Sequence, residues 1–251
     1  INSAYQSALD LGSRLNLNLL SKSINELNEK ASTSLKLKFQ DLSDDSSYKI
    51  TITSDDVEVV AGDKSGFYYG LVSLMQLAQT YHQLIPCGSI FDTPRFSWRG
   101  QHLDTVRHFY SVDSLLKLLD LMSLFKLNKF HWHAVDDEAF RFKLDSYPEI
   151  ATATSKRGNN LLVPPVFGSG SDATGGCYDK EDIDKIIHRA SANYIEVIPE
   201  FDLPGHNMSL INLYPEMRDP EDQSYEVSVQ GYRENTMNPA MPETLKIVES
   251  L

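Results

Sequence analysis

The chain has 251 residues, 41% hydrophobic and 23% charged, which is globular composition and enough for one large domain or two smaller ones. A formal charge of −12 and a pI near 5.0 argue against a nucleic-acid partner, because phosphate binding needs clustered Lys and Arg. No apolar run approaches the roughly 20 residues that span a bilayer, so no membrane span is expected.

Residues 1–96 read as a small α+β unit. A helix, or two short ones, is expected over 11–30, with Leu15, Leu19 and Leu20 on its apolar face. A strand follows over 35–39. The alternation in 48–53 and again in 57–61, with Ser54-Asp55-Asp56 between, predicts a β-hairpin. Phe67, Leu71, Leu74, Met75 and Leu77 recur at helical steps, predicting a helix over 66–81. The segment 85–94, rich in turn formers, reads as a linker. Cys87 and Cys177 sit in no CxxC pattern and read as free thiols, although an oxidising compartment would allow one disulfide.

From Phe96 the grammar changes to alternating strands and helices. Strands are expected over 102–107, 128–135 and 194–201. Helices are expected over 112–125, with Leu115, Leu116, Leu119, Met122 and Leu124 buried, and over 180–193, with Ile183, Ile186, Ile187 and Ala190 facing inward. A further helix opens near Asn238, with Leu245 and Val248 starting an apolar stripe. This order predicts a parallel sheet, which an open doubly wound sheet and the start of a (β/α)8 barrel satisfy equally. The sequence opens on Ile1 rather than methionine and stops about two turns into that last helix, so it reads as a fragment.

In parallel α/β architectures the polar residues at the C-terminal strand ends line the active site. Each predicted strand ends in such a cluster: Asp104 to His108, His131 to Glu138, and Glu200 to His206. One charged strand tip is ordinarily a loop residue or a helix cap, but three at matching positions point to a site. His131 and His133, two apart on one strand face, form an HxH pair that zinc could use. By parity Asp136 falls on the opposite face, so no metal site is expected.

The strings Trp98-Arg99-Gly100 with Leu103-Asp104 and Arg107-His108-Phe109, Lys126-Leu127-Asn128 with His131-Trp132-His133 and Asp136-Asp137, and Ile198 to His206 resemble the first three barrel strands of β-N-acetylhexosaminidases of glycoside hydrolase family 20. Gly66 to Leu71, Gly176 to Asp182 and Asn238 to Leu245 are similar to helix openings in the same family. The resemblance implies a small α+β accessory domain over 1–96. Over 97–251 it implies the first strands and helices of a (β/α)8 TIM barrel, incomplete in this chain. It further implies hydrolysis of terminal, non-reducing β-linked N-acetyl-D-hexosamine from oligosaccharides, chitooligosaccharides or glycoconjugates. The route is retaining and substrate-assisted, with no metal or organic cofactor. A secreted, periplasmic or lysosomal protein is implied as well.

Residue by residue, Arg107 corresponds to the arginine that grips hydroxyls of the terminal sugar, against the alternative of an ion pair with Asp104 or another strand's carboxylate. Asp136 and His206 match a carboxylate–imidazole pair that supports the general acid, and Asp202 matches a second carboxylate orienting that network. Glu200 reads as a polar layer of the barrel, and Asp137 as a site residue or a cap. Two departures are visible: Glu138-Ala139-Phe140 where many members carry glutamine and then glycine-tryptophan, and Cys177 where an aromatic is common. The adjacent Asp-Glu pair that performs the family's chemistry falls, by the resemblance, after Leu251. On that reading these residues alone are inactive and need the remaining barrel segment, in the same or a second chain. The alternative is a non-catalytic carbohydrate-binding or regulatory fragment.

Overall fold

A computed structural model describes residues 2–15, 34–40, 42, 45–81, 85–165, 170–222 and 227–250. The chain divides into two compact units, Ile1–Gly100 with Leu116–Lys129 and Arg189–Glu196, and Gln101–Leu115 with Phe130–His188 and Val197–Leu251.

In the first unit, the alternating segments close as the expected hairpin. β2 (Tyr48–Ile52) and β3 (Asp56–Ala61) pair antiparallel, from Tyr48↔Ala61 to Ile52↔Val57. β1 (Ser34–Phe39) adds parallel to β3, and β4 (Gly88–Asp92) adds antiparallel to β2, giving the order β1-β3-β2-β4. The linker expectation for 85–94 is therefore corrected: Gly88–Asp92 within it is an edge strand, whose single apolar pairing position, Ile90 opposite Ile50, is too little pattern to read. α1 (Asn2–Arg14) and α2 (Lys64–Thr80) pack on each other, with Ala4, Ala8 and Leu11 joining Phe67, Tyr68, Leu71, Val72, Ile50 and Val59 in one core. The first helix thus starts well before residue 11. Leu19, Leu20 and the rest of 16–33 lie outside the described residues. Asp63 caps α2, its Oδ1 accepting the Gly66 N–H while its Oδ2 accepts that of Ser46.

β5 (Gly100–Asp104), β6 (Lys129–Asp136) and β10 (Glu196–Phe201) form the second sheet, in the order β10-β6-β5. The Lys129 N–H bonds Arg99 O near the start of β5, and the Thr105 N–H bonds His133 O beyond its end, so β5 and β6 run parallel. α3 (Val112–Leu124) is the crossover between β5 and β6, and α5 (Lys180–Ala192) leads into β10. On α3, Leu115, Leu119 and Met122 are buried while Leu116 and Leu124 are half-buried. On α5, Ile186 and Ala190 are buried, but Ile187 is 48% exposed, contrary to expectation, because it lies 100° round the helix from Ile186. The strand expected from 102 to 107 stops at Asp104, and the one expected from 194 starts at Glu196, since Tyr194 takes a positive φ of 57°.

Several short elements carry no sequence expectation, among them β7 (Ala139–Phe140), which folds back antiparallel on β6; α4 (Pro148–Thr154); the β8 (Lys156–Arg157) and β9 (Thr174–Gly175) pair; and α6 (Met208–Leu213). α7 (Pro242–Val248) forms as expected, but its buried residues are Thr244 and Ile247, and Leu245 is half exposed. One β6 face is aromatic. Trp132, with its indole N–H on Thr105 Oγ1, meets Phe142 and Tyr178 edge-on at 5.0 and 4.9 Å between ring centroids. The opposite face carries His131 and His133. Both cysteines are free.

Candidate functional site

The three expected clusters converge within the second unit, where β5, β6 and β10 end. The first is organised by Asp104. Its Oδ1 accepts the backbone N–H groups of Val106 and Arg107, a local turn that stops β5 and directs Arg107 back over the sheet end. Asp104 Oδ2 then meets Arg107 Nη1 at 3.0 Å. The ion pairing weighed as the alternative for Arg107 is therefore present, and Asp104 is one of three carboxylates in it. Asp136 Oδ2 lies 2.8 Å from Nη2, and Glu138 Oε2 lies 3.0 Å from Nε. Burial disfavours the charge on Arg107, but Asp136, Glu138 and Asp104 outweigh it and raise its pKa further. Burial likewise opposes ionisation of Asp104, yet the Arg107 backbone and charge hold its carboxyl below the ordinary value.

The second cluster is shaped by a tight reversal. β6 ends at Asp136, Asp137-Glu138 turn the chain, and Val135↔Phe140 and Asp136↔Ala139 pair across it. The reversal overturns the parity argument that separated Asp136 from the histidines: His133 Nε2 lies 2.8 Å from Asp136 Oδ2. Strand alternation governs where side chains point along a regular strand, and Asp136 sits where that regularity ends. The other ring nitrogen, His133 Nδ1, faces Glu200 Oε2 at 3.0 Å. Burial works against a charged ring, but the Asp136 hydrogen bond and the Glu200 charge prevail and raise the His133 pKa.

The third cluster brings His206, whose backbone is left-handed at φ 54°. Its Nδ1 lies between two acids, 3.3 Å from Asp136 Oδ1 and 3.2 Å from Asp137 Oδ2. The expected Asp136–His206 proximity is present, with Asp137 sharing the imidazole. Asp137 is fully buried and does more than cap the segment after it. Its Oδ1 accepts the Met208 N–H at the start of α6, and its Oδ2 accepts the Asn235 side-chain amide. Asp202 comes close, with an oxygen within 4.8 Å of ligand atoms of His133 and Asp136, and burial raises its pKa despite the pull of His206.

His102, His131 and Glu200 also draw together, as a metal site would require. However, His131 Nε2 and Glu200 Oε2 are 2.5 Å apart, whereas two ligands each about 2.0 Å from a tetrahedral ion lie about 3.3 Å from one another. The geometry is that of a carboxylate–imidazole contact.

Three residues were given no individual role by the sequence reading. Glu138, fully buried, is the third acid on Arg107 and accepts the Tyr232 hydroxyl at 3.2 Å. Arg141, also buried, donates to the carbonyls of Thr105, Val106, Ser155 and Gly176, tying the chain before Arg107 to two loops. Its pKa falls to about 10 because burial, joined by the Arg157 charge, outweighs the pull of Tyr178 and Asp104. Arg157 donates to Arg107 O at 2.7 Å. The Ser155 carbonyl stands 2.3 Å from where a Cβ on Gly175 would sit, and Gly175 has φ +131°, so only glycine fits that junction. Only Glu138 had a signal in the sequence, as part of the departure at 138–140.

Two family profiles match the chain: glycosyl hydrolase family 20, catalytic domain, over residues 96–251, and glycosyl hydrolase family 20, domain 2, over residues 3–93. A β-hexosaminidase of Vibrio furnissii is 33% identical over 209 residues, covering 82% of this chain and 34% of the relative. An N,N'-diacetylchitobiase of Vibrio harveyi is 31% identical over 239 residues, covering 84% and 27%. Among solved structures, a GH20 exo-β-N-acetylglucosaminidase of Vibrio harveyi in complex with N-acetylglucosamine superposes with a TM-score of 0.85 at 30% identity, covering 99% of this chain and 39% of that one. The chain thus spans about a third of the length of the curated relatives it matches. Its architecture is an accessory α+β domain followed by part of a (β/α)8 catalytic barrel.

Proposed function

The chain belongs to glycoside hydrolase family 20, and from that premise we propose that the protein removes terminal, non-reducing β-linked N-acetylhexosamine from glycans. The observation that carries the reading is the Arg107 guanidinium, raised over the sheet end, ringed by Asp104, Asp136 and Glu138, and still partly exposed. A rigid fork held in this way suits paired sugar hydroxyls and supplies positioning rather than chemistry.

In this reading the sugar's own 2-acetamido oxygen bonds to the anomeric carbon as the glycosidic bond breaks, forming an oxazolinium ion. A glutamic acid protonates the departing oxygen, and its carboxylate then deprotonates the water that attacks the anomeric carbon, so β configuration is restored. That glutamate and the aspartate orienting the acetamido group are the family's Asp-Glu pair, which we place outside these 251 residues. Asp136, His206 and Asp202 support the general acid through the carboxylate–imidazole contacts at the strand ends. Residues 1–96 serve as the accessory domain and 97–251 as the start of the barrel. The remaining barrel strands must complete the site. We extend the reading to an exported protein, secreted, periplasmic or lysosomal, as the family resemblance implies.

The test is a series of aryl β-glucosaminides carrying N-acetyl, N-fluoroacetyl and N-trifluoroacetyl groups, hydrolysed by the full-length protein. Fluorination weakens the acetamido nucleophile, so kcat should fall steeply along the series. A rate indifferent to the acyl group, or no hydrolysis of the N-acetyl compound, contradicts the proposal.

A further inference from the structure

Each of the three acids on Arg107 approaches a different nitrogen: Asp104 Nη1, Asp136 Nη2 and Glu138 Nε. Two of them are engaged elsewhere. Asp104 holds the backbone turn at Val106 and Arg107, and Asp136 holds His133, His206 and the Asp137 N–H. Glu138 is different. It has no exposed surface, its Oε2 accepts no hydrogen bond among the described residues, and that oxygen stands 3.0 Å from Arg107 Nε as an ion pair. Its Oε1 takes the hydroxyl of Tyr232, which reaches in from the segment between β10 and α7 and packs with Val163 and Met208. A carboxylate buried so fully is strongly unfavourable unless an opposite charge is held against it, so this pair resists any swing of the guanidinium about its stem. Contact at Nε also leaves the outer edge of the fork, with its two Nη groups, directed away from Glu138.

We propose that Glu138, held by Tyr232, is the positioning residue that sets the angle at which Arg107 meets the sugar hydroxyls. The inference rests on the hexosaminidase reading. It makes the segment carrying Tyr232 part of sugar recognition through a relay, Tyr232 to Glu138 to Arg107. It also gives the departure at position 138 a purpose, because a glutamine there has no charge to hold the fork.

The experiment uses the full-length protein and an aryl N-acetyl-β-glucosaminide. Glu138→Gln should raise KM about tenfold while kcat changes less than about threefold, the split expected when binding geometry rather than chemistry is lost. Tyr232→Phe should raise KM in the same direction by about two- to threefold, and it carries the test if Glu138→Gln does not fold. In an Arg107→Lys background, Glu138→Gln should alter kcat/KM by less than about twofold, because the two residues act as one unit. A merely structural role would depress activity equally in both backgrounds. That result, or an unchanged KM in both single variants, overturns the inference while leaving the activity intact. Absence of hydrolysis by the wild-type protein instead overturns the functional reading on which the inference stands.

Discussion

His133 lies between two acids, Asp136 on Nε2 and Glu200 on Nδ1, so its protonated ring is favoured in the folded protein. Its folded pKa lies above the ordinary 6.5. The stability it contributes is therefore fully present below that value and is lost as pH rises through the folded pKa. Glu138 adds to the same slope at lower pH. Burial raises its pKa above 4.5 despite Arg107, so ionising it as pH rises through the raised value also costs stability. Asp104 works in the opposite sense: its pKa is held below 3.8, and the stability it gives is lost only as pH falls through the depressed value. We predict that His133→Asn flattens the fall in unfolding free energy above pH 6.5, measured by urea denaturation across a pH series. An equally steep fall in the variant would show that His133 does not carry the proton. At this scale the sequence revealed residue types better than partners. Arg107, Asp136 and His206 were legible as site candidates because they fall in polar clusters after predicted strands and match the motifs of the family resemblance. Arg141 was not, because its partners are main-chain carbonyls, which leave no trace in residue identity.

Among the elements, those with a strong period were legible. The 48–61 hairpin alternates cleanly and pairs antiparallel as expected, and α2 shows its helical repeat. Elements set by tertiary partners were not. β4 is an edge strand with little pattern, and β7 exists because Asp137 and Glu138 reverse the chain at the site. That reversal is also why strand parity misplaced Asp136. Asp63 is the best local test, since its two oxygens accept backbone N–H groups from Gly66 and Ser46. Asp63→Ala should lower the unfolding free energy by roughly 1–2 kcal/mol, the range for a lost N-cap. The readout is a lower urea midpoint at unchanged slope. No shift in the midpoint would mean that water replaces the cap without loss.

For the molecule as a whole, the residues that hold a sugar and those that break its glycosidic bond are assigned to different stretches of chain. In the proposed function Arg107 and its acids grip and orient, the Asp136–His206 contact supports, and the reacting Asp-Glu pair lies outside these 251 residues. No helix among the described residues is long and apolar enough to cross a membrane. Parallel strands pair with their neighbours through crossover helices, so the sheet order β10-β6-β5 has room for the next strand beside β10. The most direct test of this division is hydrolysis of an aryl N-acetyl-β-glucosaminide by the full-length protein and by the 251-residue chain, side by side. Activity in the full-length protein and none in the shorter chain is the predicted result. Hydrolysis by the 251 residues alone, above a control carrying Arg107→Ala and Asp136→Ala, would contradict it and place a catalytic group among the residues described above.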